Sequence, residues 1–234
     1  MSKLKRLLAP KFWGVPKKVA KWTVSPRPGP HKKFESIPLL IIARNILNLA
    51  ETWKEAKSII KKGEILVDNK ARKDHAFPVG LMDVVSVLRI KKHYRVLPSK
   101  KGLEMKEIPE DEANKKICRI NNKILVKKGR LQLNLHDGRN LLVEKDVYKT
   151  GDSVLLELPS QKILEHIKLE KGSLGLITKG KNSGKTARIK EVVTAKSMRE
   201  PNKVICEIEN RDVEVRKDHI IVVGREEPAI KISE

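Results

Sequence analysis

Between Ser36 and Val87 the apolar positions pass through three patterns in turn. First, Leu39, Leu40, Ile41, Ile42, Ile46, Leu47 and Leu49 leave almost no polar face, which predicts a helix buried on most sides. Pro38 is suited to open it, because the first turn has no N–H bond to lose. Next, Thr52 and Glu55 form a capping box, and Ala56, Ile59 and Ile60 give a second helix one apolar face. Lys54, Lys57 and Lys61 fall together on another face of it, and Gly63 is placed to end it in the left-handed conformation. The period then drops to two. Glu64–Val67 predicts a strand, Asp68-Asn69-Lys70 its turn, and Val84–Leu88 the returning strand.

Downstream, Lys91–Leu97 continues as a basic strand, Pro98–Gly102 reads as a turn, and Pro109–Ala113 as a helix start with acids in its first turn. From Ile117 to Ile167 the pattern is mostly alternating. Leu131, Leu133 and Leu135 face Leu141, Leu142 and Val143 across Asp137-Gly138, a strong hairpin signal. Ser153–Leu158 and Ile163–Ile167 are further strands. This middle region reads as a small all-β scaffold without chemistry. In the last region Leu174 and Leu176 lead into the turn Gly180–Lys185, and Ala187 and Ile189 lead out of it. Strands around a tight basic turn fit an SH3-like barrel.

The first 35 residues break every pattern. Five prolines (Pro10, Pro16, Pro26, Pro28 and Pro30) forbid one long helix. Ten cations, Lys3, Lys5, Arg6, Lys11, Lys17, Lys18, Lys21, Arg27, Lys32 and Lys33, stand against the single acid Glu35. Such an arm buries too little of its own surface to fold alone, so it is expected to be extended and to order along a polyanion. Phe12, Trp13 and Trp22 are its large anchors, and Trp13 or Trp22 is expected to pack on the domain or on a base.

Composition narrows the partner. The 234 residues have room for about two domains. Their net charge of +22 favours a polyanionic partner. Aromatics are only 3% of residues, so phosphate and shape contacts are expected rather than base stacking on an aromatic platform. The longest apolar stretch, Pro38–Ala43, is far too short to span a membrane, and the basic start lacks the apolar core of a secretory signal. Cys118 and Cys206 form no Cys-x-x-Cys pair and read as buried, reduced thiols of a cytosolic protein.

Catalytic readings are weak. GKNSGKT imitates a Walker loop, but three residues, not four, separate Gly180 from Gly184. The run after it also alternates like a strand, where a phosphate loop opens a helix. The six histidines (His31, His75, His93, His136, His166 and His219) show no metal spacing, and no G-x-S-x-G elbow occurs. His136–Arg139 reads as a polar hairpin tip. No enzyme activity, cofactor, metal or small-molecule substrate is expected.

The helix pair with its ILVDNK turn and GLMDVVSV return resembles the S-four-type RNA-binding domain. That likeness implies cations presented to structured RNA by the helix pair and the adjoining turn: Arg44, Lys54, Lys57, Lys61, Lys70, Arg72 and Lys73. The Gly180–Lys185 turn resembles the KOW motif, with Ala187 where that family usually has glycine. It implies RNA contacts from Lys179, Lys181, Asn182, Lys185 and Arg188 and from the turn's backbone amides. Taken with LKRLLAPKFW, SPRPGPHK (His31 included), FPVGLMDVVSV and HDGRN, the whole chain resembles the small-subunit ribosomal protein "four-e" family of archaea and eukaryotes. Its compact length is similar to the archaeal members. The resemblance implies a multidomain α+β chain: a basic extended arm (1–35), an S-four-like α/β RNA-binding domain (36–100), a central β domain (101–168), an SH3-like KOW barrel (169–224) and a tail (225–234). It further implies a cytoplasmic protein of the ribosome that partners small-subunit rRNA and neighbouring ribosomal proteins. The alternative is a KOW-containing regulator that docks on a protein.

Overall fold

The computed structural model describes residues 3–126, 129–195, 200–209 and 211–232. Its arm is folded, against the expectation of an extended tail. Strand β1 (Lys3–Lys5) pairs antiparallel with β2 (Trp22–Val24). Between them, Trp13 is fully buried, and its indole N–H donates to the Ser36 carbonyl at 2.9 Å. Leu4 and Ala9 join Trp13 in the core of the helix pair. The physical reason is that this core lacks enough apolar surface of its own, and the arm supplies the missing side.

Pro38 ends a strand instead of opening a helix. β3 (Ser36–Pro38) is extended through Pro38, which caps α1 (Leu39–Ile41). The helix then widens into a π turn over Ile42–Ile46, closed by Leu47 N–H donating to the Ile42 carbonyl at 2.9 Å. All of Leu39–Ala43 is buried, as the encircling apolar pattern requires. α2 (Trp53–Lys62) forms as its local signals dictate, with the reciprocal Thr52/Glu55 capping box and Gly63 at φ 80.

β4 (Ile65–Val67) and β5 (Lys70–Ala71) form a hairpin whose turn residues Asp68 and Asn69 both have positive φ, 51 and 58, as a two-residue turn of the favoured twist demands. β6 (Pro78–Gly80) pairs with β3, and β7 (Val84–Val87) with β4. The Asp68 carboxylate accepts from Val84 N–H at 3.0 Å and fixes that return. β8 (Lys92–Ser99) and β9 (Gly102–Ile108) complete a sheet of order β5-β4-β7-β8-β9. α3 (Glu110–Ala113) is held by the buried Arg95, whose guanidinium donates to the Glu112 carboxylate at 2.8 Å. Residues 101–114 therefore group with the helix pair rather than with the strands that follow. The chain divides into two compact units, Met1–Leu97 with Lys101–Asn114, and Pro98–Lys100 with Lys115–Glu234.

The second unit is all sheet apart from one short helical turn among its described residues. β10 (Lys115–Leu125), β11 (Leu131–Leu135), β12 (Asn140–Val143), β13 (Ser153–Glu157) and β14 (Ile163–Ile167) pair in the order β12-β11-β10-β13-β14. β15 (Leu174–Ile177), β16 (Thr186–Val193), β17 (Lys203–Ile208), β18 (Arg211–Arg216) and β19 (Ile220–Gly224) follow in the order β18-β17-β16-β15-β19. The Arg119 side chain, on β10, donates to the carbonyls of Asp218 and Ile220 and joins the two sheets. Overall the described chain is mostly β-sheet with few helices.

Candidate nucleic-acid interface

The α2 face carries uncompensated charge. Lys54 and Lys61 are exposed and have no ion-pair partner among the described residues. Lys57 is half-buried, with its ammonium 5.0 Å from the Trp53 ring centroid. Beyond Gly63, Lys70 and Lys73 are exposed, and the Arg72 guanidinium lies 4.6 Å from the Phe77 ring centroid. That stacking orients Arg72 without neutralising it.

On the arm, Lys5, Lys11, Lys17, Lys18, Lys21, Arg27, Lys32 and Lys33 are exposed. Lys3 lies in β1, and its side chain is outside the described residues. His31 turns inward. Its Nε2 is 2.9 Å from the buried Asp83 carboxylate, and a Cβ on Gly80 would stand 2.2 Å from its ring. It therefore serves the fold, and no other residue than glycine fits at position 80.

The arm and the helix pair also meet at a cleft that no local sequence pattern foretold. Trp22, Trp53, His75, Arg6, Arg27 and Arg44 line a cavity of about 470 Å³. Trp53 and His75 pack edge to face at 6.0 Å between ring centroids. Burial, and then the Lys57 charge, lower the His75 pKa, so the ring is neutral at neutral pH. The available signal was the placing of each exposed tryptophan beside lysine, in Lys21-Trp22 and Trp53-Lys54.

In the second unit, Lys179, Lys181 and Arg188 are exposed, while Asn182 and Lys185 are half-buried. The Lys185 ammonium is paired with Glu209 at 2.6 Å. The amides expected to face phosphate are used internally: Ser183 N–H donates to Gly180, Gly184 N–H to Ile177 and Lys185 N–H to Asn182. Those three amides are therefore not open to an anion. The residues after the turn form β16, a strand, as the argument against a Walker loop required.

HDGR forms the hairpin tip expected of it, but with one buried charge at its centre. Asp137 is 2% exposed, with the Lys116 ammonium at 3.0 Å and the Arg139 guanidinium at 3.2 Å. Burial pushes its pKa up, but Lys116, His136 and Arg139 outweigh burial and hold it at about 2. Cys118, His136 and Asp137 bring ligand atoms within 4.8 Å of one another. Two side-chain cations already neutralise the carboxylate, and the His136 Nδ1 accepts from Arg119 N–H at 3.2 Å. This chemistry does not fit a bound metal. Cys206 is likewise inert, its thiol pushed by burial up to about 11.

Exposed lysines and arginines on sheet-rich units, in a chain of net charge +22, point to the class of nucleic-acid-binding proteins. Comparison with known proteins narrows this class. Residues 90–163 match the model "Ribosomal family S4e", and residues 2–34 the "RS4NT (NUC023) domain". The chain is 48% identical to small ribosomal subunit protein eS4 of Archaeoglobus fulgidus, over 95% of this chain and 93% of that one. It is 47% identical to the eS4 of Methanocaldococcus jannaschii, over 98% and 96%. The crystal structure of 30S ribosomal protein S4e from Thermoplasma acidophilum superposes with a TM-score of 0.70 at 29% identity, covering 81% of this chain and 95% of that one. The chain belongs to the eS4 family of small ribosomal subunit proteins. Among the described residues no helix is long and apolar enough to cross a membrane.

Proposed function

We propose that the protein is a structural constituent of the small ribosomal subunit, in the cytoplasm, which binds rRNA and supports subunit assembly. It acts beside neighbouring ribosomal proteins and is not an enzyme. The observation that carries this reading is family membership across nearly the whole chain, joined to the exposed Lys54 and Lys61 of α2, which have no ion-pair partner among the described residues.

The finer reading is a division of labour. The arm (1–35) and the S-four-like segment (36–100) grip phosphates through the exposed lysines named above and through Arg44 and Arg72. The central segment (101–168), whose residues 101–114 pack with the first unit, is scaffold. The KOW segment (169–224), read as an SH3-like barrel, adds Lys179, Lys181 and Arg188. Each module that engages raises the effective concentration of the next. Affinity then falls steeply with salt, by roughly 0.9 log units per log unit of salt for each phosphate neutralised. Ultraviolet crosslinking in cells, followed by sequencing of the attached RNA, tests the reading. Crosslinks confined to a few sites of small-subunit rRNA are the expected result. Crosslinks scattered over nascent transcripts or tRNA refute it.

A further inference from the structure

We infer that the cleft between the arm and α2 captures one unstacked nucleotide of the bound RNA, with its base against the indoles and its flanking phosphates on the arginines. The inference rests on the rRNA-binding reading and deepens it.

Two of the three tryptophans line this one cleft, and both are partly exposed, Trp22 at 42% and Trp53 at 43%. Exposed indole offers a π-face of the kind on which bases stack, and the Lys21 and Lys57 ammonium groups, 5.5 and 5.0 Å from the Trp22 and Trp53 ring centroids, add positive charge beside it. The surroundings are cationic. The Arg6 guanidinium donates to the Pro16 carbonyl at 3.1 Å and the Arg44 guanidinium to the Glu51 carbonyl at 3.0 Å. Carbonyl anchoring holds each group in place but leaves its charge uncompensated, and neither has a carboxylate partner among the described residues. Of the three arginines, Arg27 alone is balanced, by Asp74 at 3.0 Å.

Unsatisfied polar atoms also occur here. The buried Arg6 Nε and the hydroxyl of Ser25, a residue 7% exposed, have no hydrogen-bond partner among the described residues. The His75 ring adds polar nitrogens that can meet a base edge, its Nδ1 lying 3.6 Å from the Asp74 carboxylate. The volume, about 470 Å³, lies in the range of small-ligand sites. Rings for a base and fixed guanidinium groups for phosphates together match a nucleotide. A purely apolar peptide would leave the arginines unpaired.

The test uses the full chain and small-subunit rRNA transcribed in vitro, with binding measured across a salt series. Trp22→Leu and Trp53→Leu keep an apolar side chain and remove the stacking face. Each should weaken binding by roughly 5- to 150-fold at fixed salt and leave the salt slope unchanged. Trp53→Phe should restore most of the loss. Arg44→Gln should instead flatten the slope by about 1. Photocrosslinking should join the Trp22 or Trp53 peptide to a single rRNA position. Circular dichroism confirms that each variant is folded.

Folded leucine variants that bind rRNA like the parent overturn the cleft while leaving the rRNA reading intact. The same holds if they bind rRNA normally but fail to join reconstituted subunits, which makes the cleft a protein-docking site. If the parent chain itself shows no salt-dependent preference for small-subunit rRNA, the underlying reading fails and the inference fails with it.

Discussion

Replacing Trp13 by alanine tests whether the arm is tail or core. The side chain is fully buried, joins the cluster built by Ile37, Leu39, Ile42 and Ile60, and bonds the Ser36 carbonyl at 2.9 Å. Truncating a buried tryptophan costs about 3–5 kcal/mol, a large share of the roughly 5–15 kcal/mol that holds a domain folded. Trp13→Phe keeps most of the ring but strands the Ser36 carbonyl, a loss of about 1–2 kcal/mol. Hydrogen exchange read by peptide is the assay, because it reports the two units separately. Peptides from Leu39–Ile46 and Trp53–Lys62 should lose protection in Trp13→Ala, while those from Leu174–Ile177 and Ile220–Gly224 keep theirs. A cost below about 1 kcal/mol with unchanged protection refutes the argument and returns the arm to the status of a tail. Deleting the arm outright should expose the helix pair and unfold the first unit.

Asp137 should make the second unit acid-sensitive. Its carboxyl titrates at about 2 when folded, against an ordinary 3.8. Its stabilisation, on the order of 2 kcal/mol, is therefore complete above about pH 4 and lost as pH falls toward 2. Asp137→Asn should remove that pH dependence and strand the buried Lys116, at a cost of about 3–5 kcal/mol in urea denaturation at pH 7. A flat difference of under 1 kcal/mol sinks the ion-pair account. Lys54→Gln with Lys61→Gln should lower rRNA affinity and flatten its salt dependence by about 1 for each phosphate no longer neutralised. An unchanged slope removes the α2 face from the interface. Gly184 has φ +87, and a Cβ there would meet the Pro98 carbonyl oxygen at 2.7 Å. Gly184→Ala should cost roughly 1–3 kcal/mol in thermal unfolding of the second unit, and a wild-type melting curve shows that the turn can relax.

The Gly180–Lys185 turn shows how local signals place an element without fixing which of its groups are open. Its position and the strand after it follow from alternation and glycine, both local. Which of its amides face outward depends on which carbonyls the fold brings near, and Gly180, Ile177 and Asn182 take those of Ser183, Gly184 and Lys185. The side-chain charges at Lys181 and Arg188 were legible because lysine and arginine default to the surface. Lys116 is the exception. It sits in a run of ordinary-looking lysines, and only the return of Asp137 across the sheet makes its burial tolerable.

The sequence by itself determined what neighbours along the chain can decide. The Thr52/Glu55 capping box, the Gly63 stop, the Asp68-Asn69 turn and the Asp137-Gly138 hairpin each depend on a few adjacent residues, and each formed as its chemistry dictates. Net charge, summed over all residues, pointed to a polyanion whatever the fold. Only the tertiary structure decided what burial and distant partners control. It made the arm part of a core, drew His31 to Asp83, returned Gly102–Ile108 to the first sheet and gathered Trp22, Trp53 and three arginines at one cleft. Burial depends on partners far off in sequence, and no local pattern names them.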